Sequence, residues 1–241
     1  MATRVLPVGG IAIFLALAGF LLLGGSDSSE PTGLTGASFY LEAEVDVYAT
    51  GAGGGRELEG HTTIRWWYLR PGFWRWQIES NELTEPARTL IAVGDGWTAW
   101  LYDSSTNTYK KTAVKDFPGN DPPALPISVY LGPVSLSELT RRWEQAGISV
   151  KRRGQDRLLG FETTIMEYAP TWRASGSRGE TSGGIALLWV DEQSQFVLRS
   201  VVDGGPGLEY VDAKVTRLER PPSPAAALFH FEPPAGSREE Q

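Results

Sequence analysis

After residue 37 the chain alternates apolar and polar positions with period two. In FYLEAEVDV, Phe39, Leu41, Ala43, Val45 and Val47 fall on one face, and Tyr40, Glu42, Glu44 and Asp46 on the other. That pattern predicts a strand with one buried side. TTIRWWYLR alternates less cleanly, RPGF is a tight turn, and FWRWQIES puts Trp74, Trp76 and Ile78 on one face with Arg75, Gln77 and Glu79 opposite. RTLIAVGDGWTAWLYD predicts two strands around Asp95-Gly96, a strong two-residue turn signal. The chain turns again at Ser104–Asn107 and at Glu192–Ser194, and DGGPG leads into LEYVDAKVTRL. Roughly ten strands joined mostly by short turns predict an antiparallel meander. LFHFEPPAG, at 228–236, reads as its closing strand. Phe229 and Phe231 would face inward, and Pro233 and Pro234, which cannot donate to a ladder, would end it.

Four stretches fall outside this rhythm. Arg4 precedes an uncharged apolar run from Val5 to Gly25, followed by SDSSEP. The run has the length of a signal sequence or of a single membrane-spanning anchor, and the charge asymmetry sends the following chain across the membrane. Residues 26–37 have the composition of a flexible linker. In VSLSELTRRWEQAG, Ser135 and Glu138 have capping-box spacing, Leu136, Leu139 and Trp143 lie on one helical face, and Gly147 is a stop signal. One amphipathic helix is therefore expected, either covering the sheet or acting as a lid over a cavity. The polar, glycine-rich stretch at 171–184 predicts a loop between strands. No linker-like break divides residues 38–236, so they are expected to form one domain, followed by a tail at 237–241.

The composition narrows the chemistry. The chain has 241 residues, a net charge of −7, no cysteine and two histidines, His61 and His230. An acidic chain argues against nucleic-acid binding. The missing thiols exclude disulfides, zinc–thiolate sites and cysteine lipidation, and two histidines argue against a histidine-rich metal site. No nucleophile elbow, zinc-protease motif or phosphate-cradling loop occurs. No catalytic residue, metal site or cofactor is expected, and the chain does not read as an enzyme. The nine tryptophans carry more information. Trp66, Tyr68, Trp74, Trp76, Trp100 and Tyr102 are expected to share one sheet face if the registers allow. Wide rings on such a face either fill the space beneath the helix or line a pocket for a flexible apolar ligand.

Three stretches together carry a family resemblance. They are IAVGDGWTAWLYDSSTNTYKK, ALLWVDEQSQFVLRSVV and LFHFEPPAG, and their order and spacing span about residues 38–236. The chain resembles the LolA/LolB-like lipoprotein-carrier superfamily, with its sigma-regulator and mycobacterial lipoprotein relatives. The resemblance implies a mainly β fold, a curved antiparallel sheet forming an unclosed barrel with a helix over its concave side. It also implies a cavity for acyl chains of a lipid or lipoprotein. The expected lining is Trp66, Tyr68, Trp74, Trp76, Ile78, Trp100, Leu136, Leu139, Trp143, Phe229 and Phe231. Arg65, Arg70 and Arg75 are candidates for the family's functional arginine. The leading expectation is an extracytoplasmic binding protein, with or without a carrier role. It would be tethered to the bacterial cytoplasmic membrane, or periplasmic or secreted if the leader is cleaved. The alternatives are an envelope-stress or sigma-factor regulatory module that binds a protein partner, and a Trp-rich glycan-binding module.

Overall fold

The computed structural model describes residues 38–50, 55–70, 72–82, 86–116, 131–133, 136–145, 148–169, 184–204, 209–220 and 225–240. The Val5–Gly25 run, the linker at 26–37, Ser135 and Gly147 of the helix signals, and almost all of the 171–184 loop lie outside these residues. Among the described residues no helix is long and apolar enough to cross a membrane.

Six strands come first: β1 (Phe39–Thr50), β2 (Arg56–Arg70), β3 (Phe73–Glu82), β4 (Arg88–Asp95), β5 (Thr98–Asp103) and β6 (Thr108–Ala113). The short β7 (Gly132–Pro133) and helix α1 (Leu136–Gln145) follow. Five more long strands are β8 (Val150–Leu158), β9 (Phe161–Tyr168), β10 (Ile185–Asp191), β11 (Phe196–Asp203) and β12 (Tyr210–Glu219), and β13 (Arg238–Glu239) is last. They form one sheet in the order β13-β6-β5-β4-β3-β2-β1-β12-β11-β10-β9-β8, with β7 paired to β11 off this path. Every pairing is antiparallel except β13 with β6. The two ends of the path do not meet, so the sheet is not closed. Two meanders, β1–β6 and β8–β12, are joined where β1 pairs with β12.

The alternation in β1 sets the two faces. Phe39, Leu41, Ala43, Val45 and Val47 are all buried, and the register carries this inner face outward through Ile64, Trp66 and Tyr68 on one side and Val211, Ala213 and Val215 on the other. The opposite, outer face carries charge along β1–β3: Arg65 bridges Glu42 at 3.2 Å and Glu79 at 2.8 Å. Across β11 and β12, Arg199 grips Asp212 through two bonds of 2.9 and 2.6 Å.

Helix α1 presents Leu139 and Trp143 to the inner-face core, with Leu136 half-buried beside them. The Trp143 ring stacks on Tyr168 of β9 at 4.4 Å. The Leu136 N–H donates to Gln195 Oε1 from the β10–β11 turn, and Ile148 N–H closes the far end on Trp143 O. Isolated helices of this length are marginal in water. Docking and these terminal bonds therefore hold the helix.

The closing stretch departs from expectation. LFHFEPPAG is not a strand: Ala226–Phe229 form a 3-10 turn, extended chain follows, and the strand comes later, at Arg238–Glu239. The segment runs over the outer face of β3–β6. Phe229 meets Phe73 edge-on at 6.3 Å, and Phe231 packs among Val93, Trp100, Tyr102 and Tyr109. Arg238 N–H then donates to Asn107 O, and Glu240 N–H to Tyr109 O. This outer patch of β4–β6 is apolar, so it needs cover that the meander cannot supply.

Candidate apolar binding face

Cross-strand pairing on the inner face produces two rows of rings. One row runs Leu41, Trp66, Trp76, Ala92, Leu101; the next runs Phe39, Tyr68, Trp74, Gly94, Ala99. Ile78 sits opposite Ile64 in the row below. Phe39 meets Trp66 edge-on at 4.9 Å and stacks with Tyr68 at 5.4 Å. Phe196 of β11 touches Phe39 edge-on at 5.2 Å.

Small residues make room for the indoles. A Cβ at Gly94 would lie 2.9 Å from Trp74 Cε2, and a Cβ at Gly132 would lie 2.5 Å from Trp66 Cζ3. The Trp74 ring therefore leans over β4, and the backbone of β7, just before α1, lies against Trp66. Exposure is 0% for Trp74, 5% for Trp76 and 9% for Trp66.

The face is apolar but not without polar atoms. Indole Nε1 is a donor with no acceptor capacity, and it usually finds a partner when buried. Among the described residues neither Trp66 Nε1 nor Trp76 Nε1 has one, although both atoms are shielded from solvent. Trp189 on the outer face shows the ordinary outcome, with its Nε1 donating to Asp156 at 3.0 Å.

The structure thus brings together Trp66, Tyr68, Trp74, Trp76 and Ile78 from β2 and β3, and Leu136, Leu139 and Trp143 from α1, in one apolar cluster. It does not bring Trp100, Phe229 or Phe231 there. Trp100 pairs with Val93 and Tyr102 with Ile91, which puts both on the outer face. The physical reason is register: Trp74 opposes Gly94, Gly94 opposes Ala99, and the next residue must point the other way. Phe229 and Phe231 belong to the segment covering that outer face. Arg65 and Arg75 also lie outside the inner face. Arg75 makes no hydrogen bond or ion pair among the described residues, and burial pushes its pKa down. The side chain of Arg70 lies outside the described residues.

Sequence patterning missed Phe196, Met166 and Tyr168, which join the cluster from β11 and β9. FETTIMEY does alternate Met166 with Tyr168, so that signal was present in the sequence. Gly132 gave no signal at all.

No family model matches the chain, and no curated protein matches it. Similar solved structures include LprF from Mycobacterium bovis, at 13% identity and TM-score 0.43, covering 88% of this chain and 97% of that one. Lipoprotein LppX from Mycobacterium tuberculosis is 13% identical at TM-score 0.40, covering 87% and 96%. The MucA/MucB complex of Pseudomonas aeruginosa gives 14% identity and TM-score 0.43, covering 84% of this chain and 59% of that one.

Proposed function

We propose that this protein is a non-enzymatic extracytoplasmic binding protein that holds an acyl chain of a lipid or lipoprotein against its inner face. In this reading the Val5–Gly25 run delivers it across the membrane and tethers it there. The observation that carries the reading is the aromatic double row: Trp66 beside Trp76 and Tyr68 beside Trp74, on the face of an unclosed sheet that also receives Leu139 and Trp143.

The side chains of this face are buried and packed against one another, so a ligand must displace something. Helix α1 is the piece most readily lifted. It has ten residues and holds on mainly through three apolar side chains, each contributing roughly 1.5–3 kcal/mol when fully buried. An acyl chain gains ~0.8 kcal/mol per buried CH₂, so a sixteen-carbon chain gains on the order of 12 kcal/mol. Association costs ~4–15 kcal/mol and the displaced helix contacts several more, so together they offset most or all of that gain. The result is modest affinity, which suits a protein that must also release its ligand.

Mass spectrometry of organic extracts from the purified protein tests the reading, together with displacement of a fluorescent fatty acid. Lipid should co-purify, and Trp76→Glu should abolish probe uptake because a carboxylate is costly to bury in an apolar site. A wild-type protein that carries no lipid and takes up no probe would overturn the proposal. A co-purifying protein in place of a lipid would favour the regulatory-module alternative.

A further inference from the structure

We infer that the ligand is an acyl ester whose neutral carbonyl oxygen accepts a hydrogen bond from the buried indole N–H groups of Trp66 and Trp76. This rests on the proposal that the inner face holds an acyl chain, and it adds the polar group that the chain must bring with it.

The argument starts from the two donors. Trp66 and Trp76 are 91% and 95% buried by the exposures above, stand directly opposite each other on β2 and β3, and have unpaired Nε1 atoms among the described residues. Residues opposed in this way have Cβ atoms ~4.5–5.5 Å apart, so the two rings share one neighbourhood. A buried donor left unpaired is destabilising, whereas the same donor given an acceptor is not. Water is the poorer candidate for that acceptor, because the two indoles would fill its acceptor sites and leave both of its own protons without a partner. The register and the packing surround these indoles with Leu41, Ala92, Phe39 and the backbone of Gly132. Among the described residues none supplies the acceptor, and it is assigned to the ligand.

Its charge follows from the same surroundings. The side chains opposed to Trp66 and Trp76 are apolar and offer no cation, while Arg65 and Arg75 point to the other face of the same strands. A phosphate or an ionised carboxylate placed here would be buried without a counter-charge. An uncharged carbonyl asks only for donors, and donors are what the site has. A plain alkyl chain or an ether would leave both N–H groups unpaired.

The test uses the full chain and two probes of equal chain length, a diacylglycerol ester and the corresponding dialkylglycerol ether. Both compete against the same fluorescent alkyl reporter. The wild type should bind the ester about tenfold more tightly than the ether, the worth of one good hydrogen bond in place of an unpaired donor. Trp66→Phe and Trp76→Phe keep an apolar ring and remove the N–H. Each should weaken ester binding by more than it weakens ether binding, so that the preference falls towards one. If a variant folds poorly, the wild type still decides: its indole N–H proton resonances should shift downfield with the ester and not with the ether. Equal affinity for ester and ether, with unmoved indole resonances, would overturn the inference and leave acyl-chain binding standing. Failure to bind either probe would remove the underlying proposal as well.

Discussion

Replacing Gly132 by alanine tests how the entry to α1 lies on the aromatic face. Gly132 has φ +94°, where an L-residue is strained by roughly 1–2 kcal/mol. The new Cβ would also come within 2.5 Å of Trp66 Cζ3, and forcing a methyl into packed surroundings costs about 1–3 kcal/mol. The backbone cannot simply swing aside, because Gly132 and Pro133 are paired to Val197 and Phe196 of β11. The expected loss is therefore ~2–5 kcal/mol. Gly160 supplies the control: its φ is +87° but a Cβ there meets nothing within 4 Å, so Gly160→Ala should lose only the backbone part, ~1–2 kcal/mol. Trp66→Leu removes the atom that clashes, so Gly132→Ala in that background should also fall to the backbone cost. The difference is a coupling of about 1–3 kcal/mol. Urea unfolding of the single and double variants measures all of this. If Gly132→Ala costs no more than Gly160→Ala, or the same with and without Trp66, then β7 does not rest on the indole.

Three further outcomes are expected. Phe231→Ala should lose ~3–5 kcal/mol in urea unfolding, as an ordinary core truncation, and leave fatty-acid probe binding intact, because Phe231 packs on the outer face. Burial pushes the Asp103 carboxyl up, but hydrogen bonds from Arg88 and Ser105 outweigh it, so the group titrates below the usual carboxylate range. A depressed pKa stabilises the fold above about pH 4, the unfolded value, and that contribution is lost as pH falls through the lower folded value. Arg88→Gln should thus be less stable than wild type at neutral pH, with the gap narrowing under acid in melts taken across that range. Because β1 joins both meanders, we propose that residues 38–236 unfold as one unit. Fluorescence and circular dichroism melts should coincide, and two separable transitions would refute this.

Much of the inner face could be derived from the sequence, because a half-buried strand writes its orientation into alternation. FYLEAEVDV and FWRWQIES each point their large residues the way the structure does. The helix was readable for the same reason, since Leu136, Leu139 and Trp143 can share a side only at helical spacing. Trp100 and Tyr102 were misplaced by a rule that large apolar residues mark the core. Where Trp74 and Trp76 lean across the sheet, the neighbouring strands must be small, and Ala92, Gly94 and Ala99 carry the inner face there. The larger residues of β5 then point outward, where Phe231 covers them. RTLIAVGD held a warning of this, for Ile91 and Val93 interleave with Leu90 and Ala92, and a strand apolar on both sides needs cover on both.

What the sequence could not give is the state of the indole nitrogens. Two tryptophans on one face read as bulk, and bulk alone would be supplied as well by phenylalanine or leucine, which bury no N–H. Position decides the matter. Trp189 has Asp156 across the sheet and its donor is used, whereas Trp66 and Trp76 face Leu41, Ala92 and each other, and theirs are not. Each unpaired donor costs about 1–3 kcal/mol. That is a large fraction of the roughly 5–15 kcal/mol by which domains are stable. A face that only had to pack would be more stable without those two nitrogens, so their placement is better accounted for by a second occupant that brings an acceptor to them.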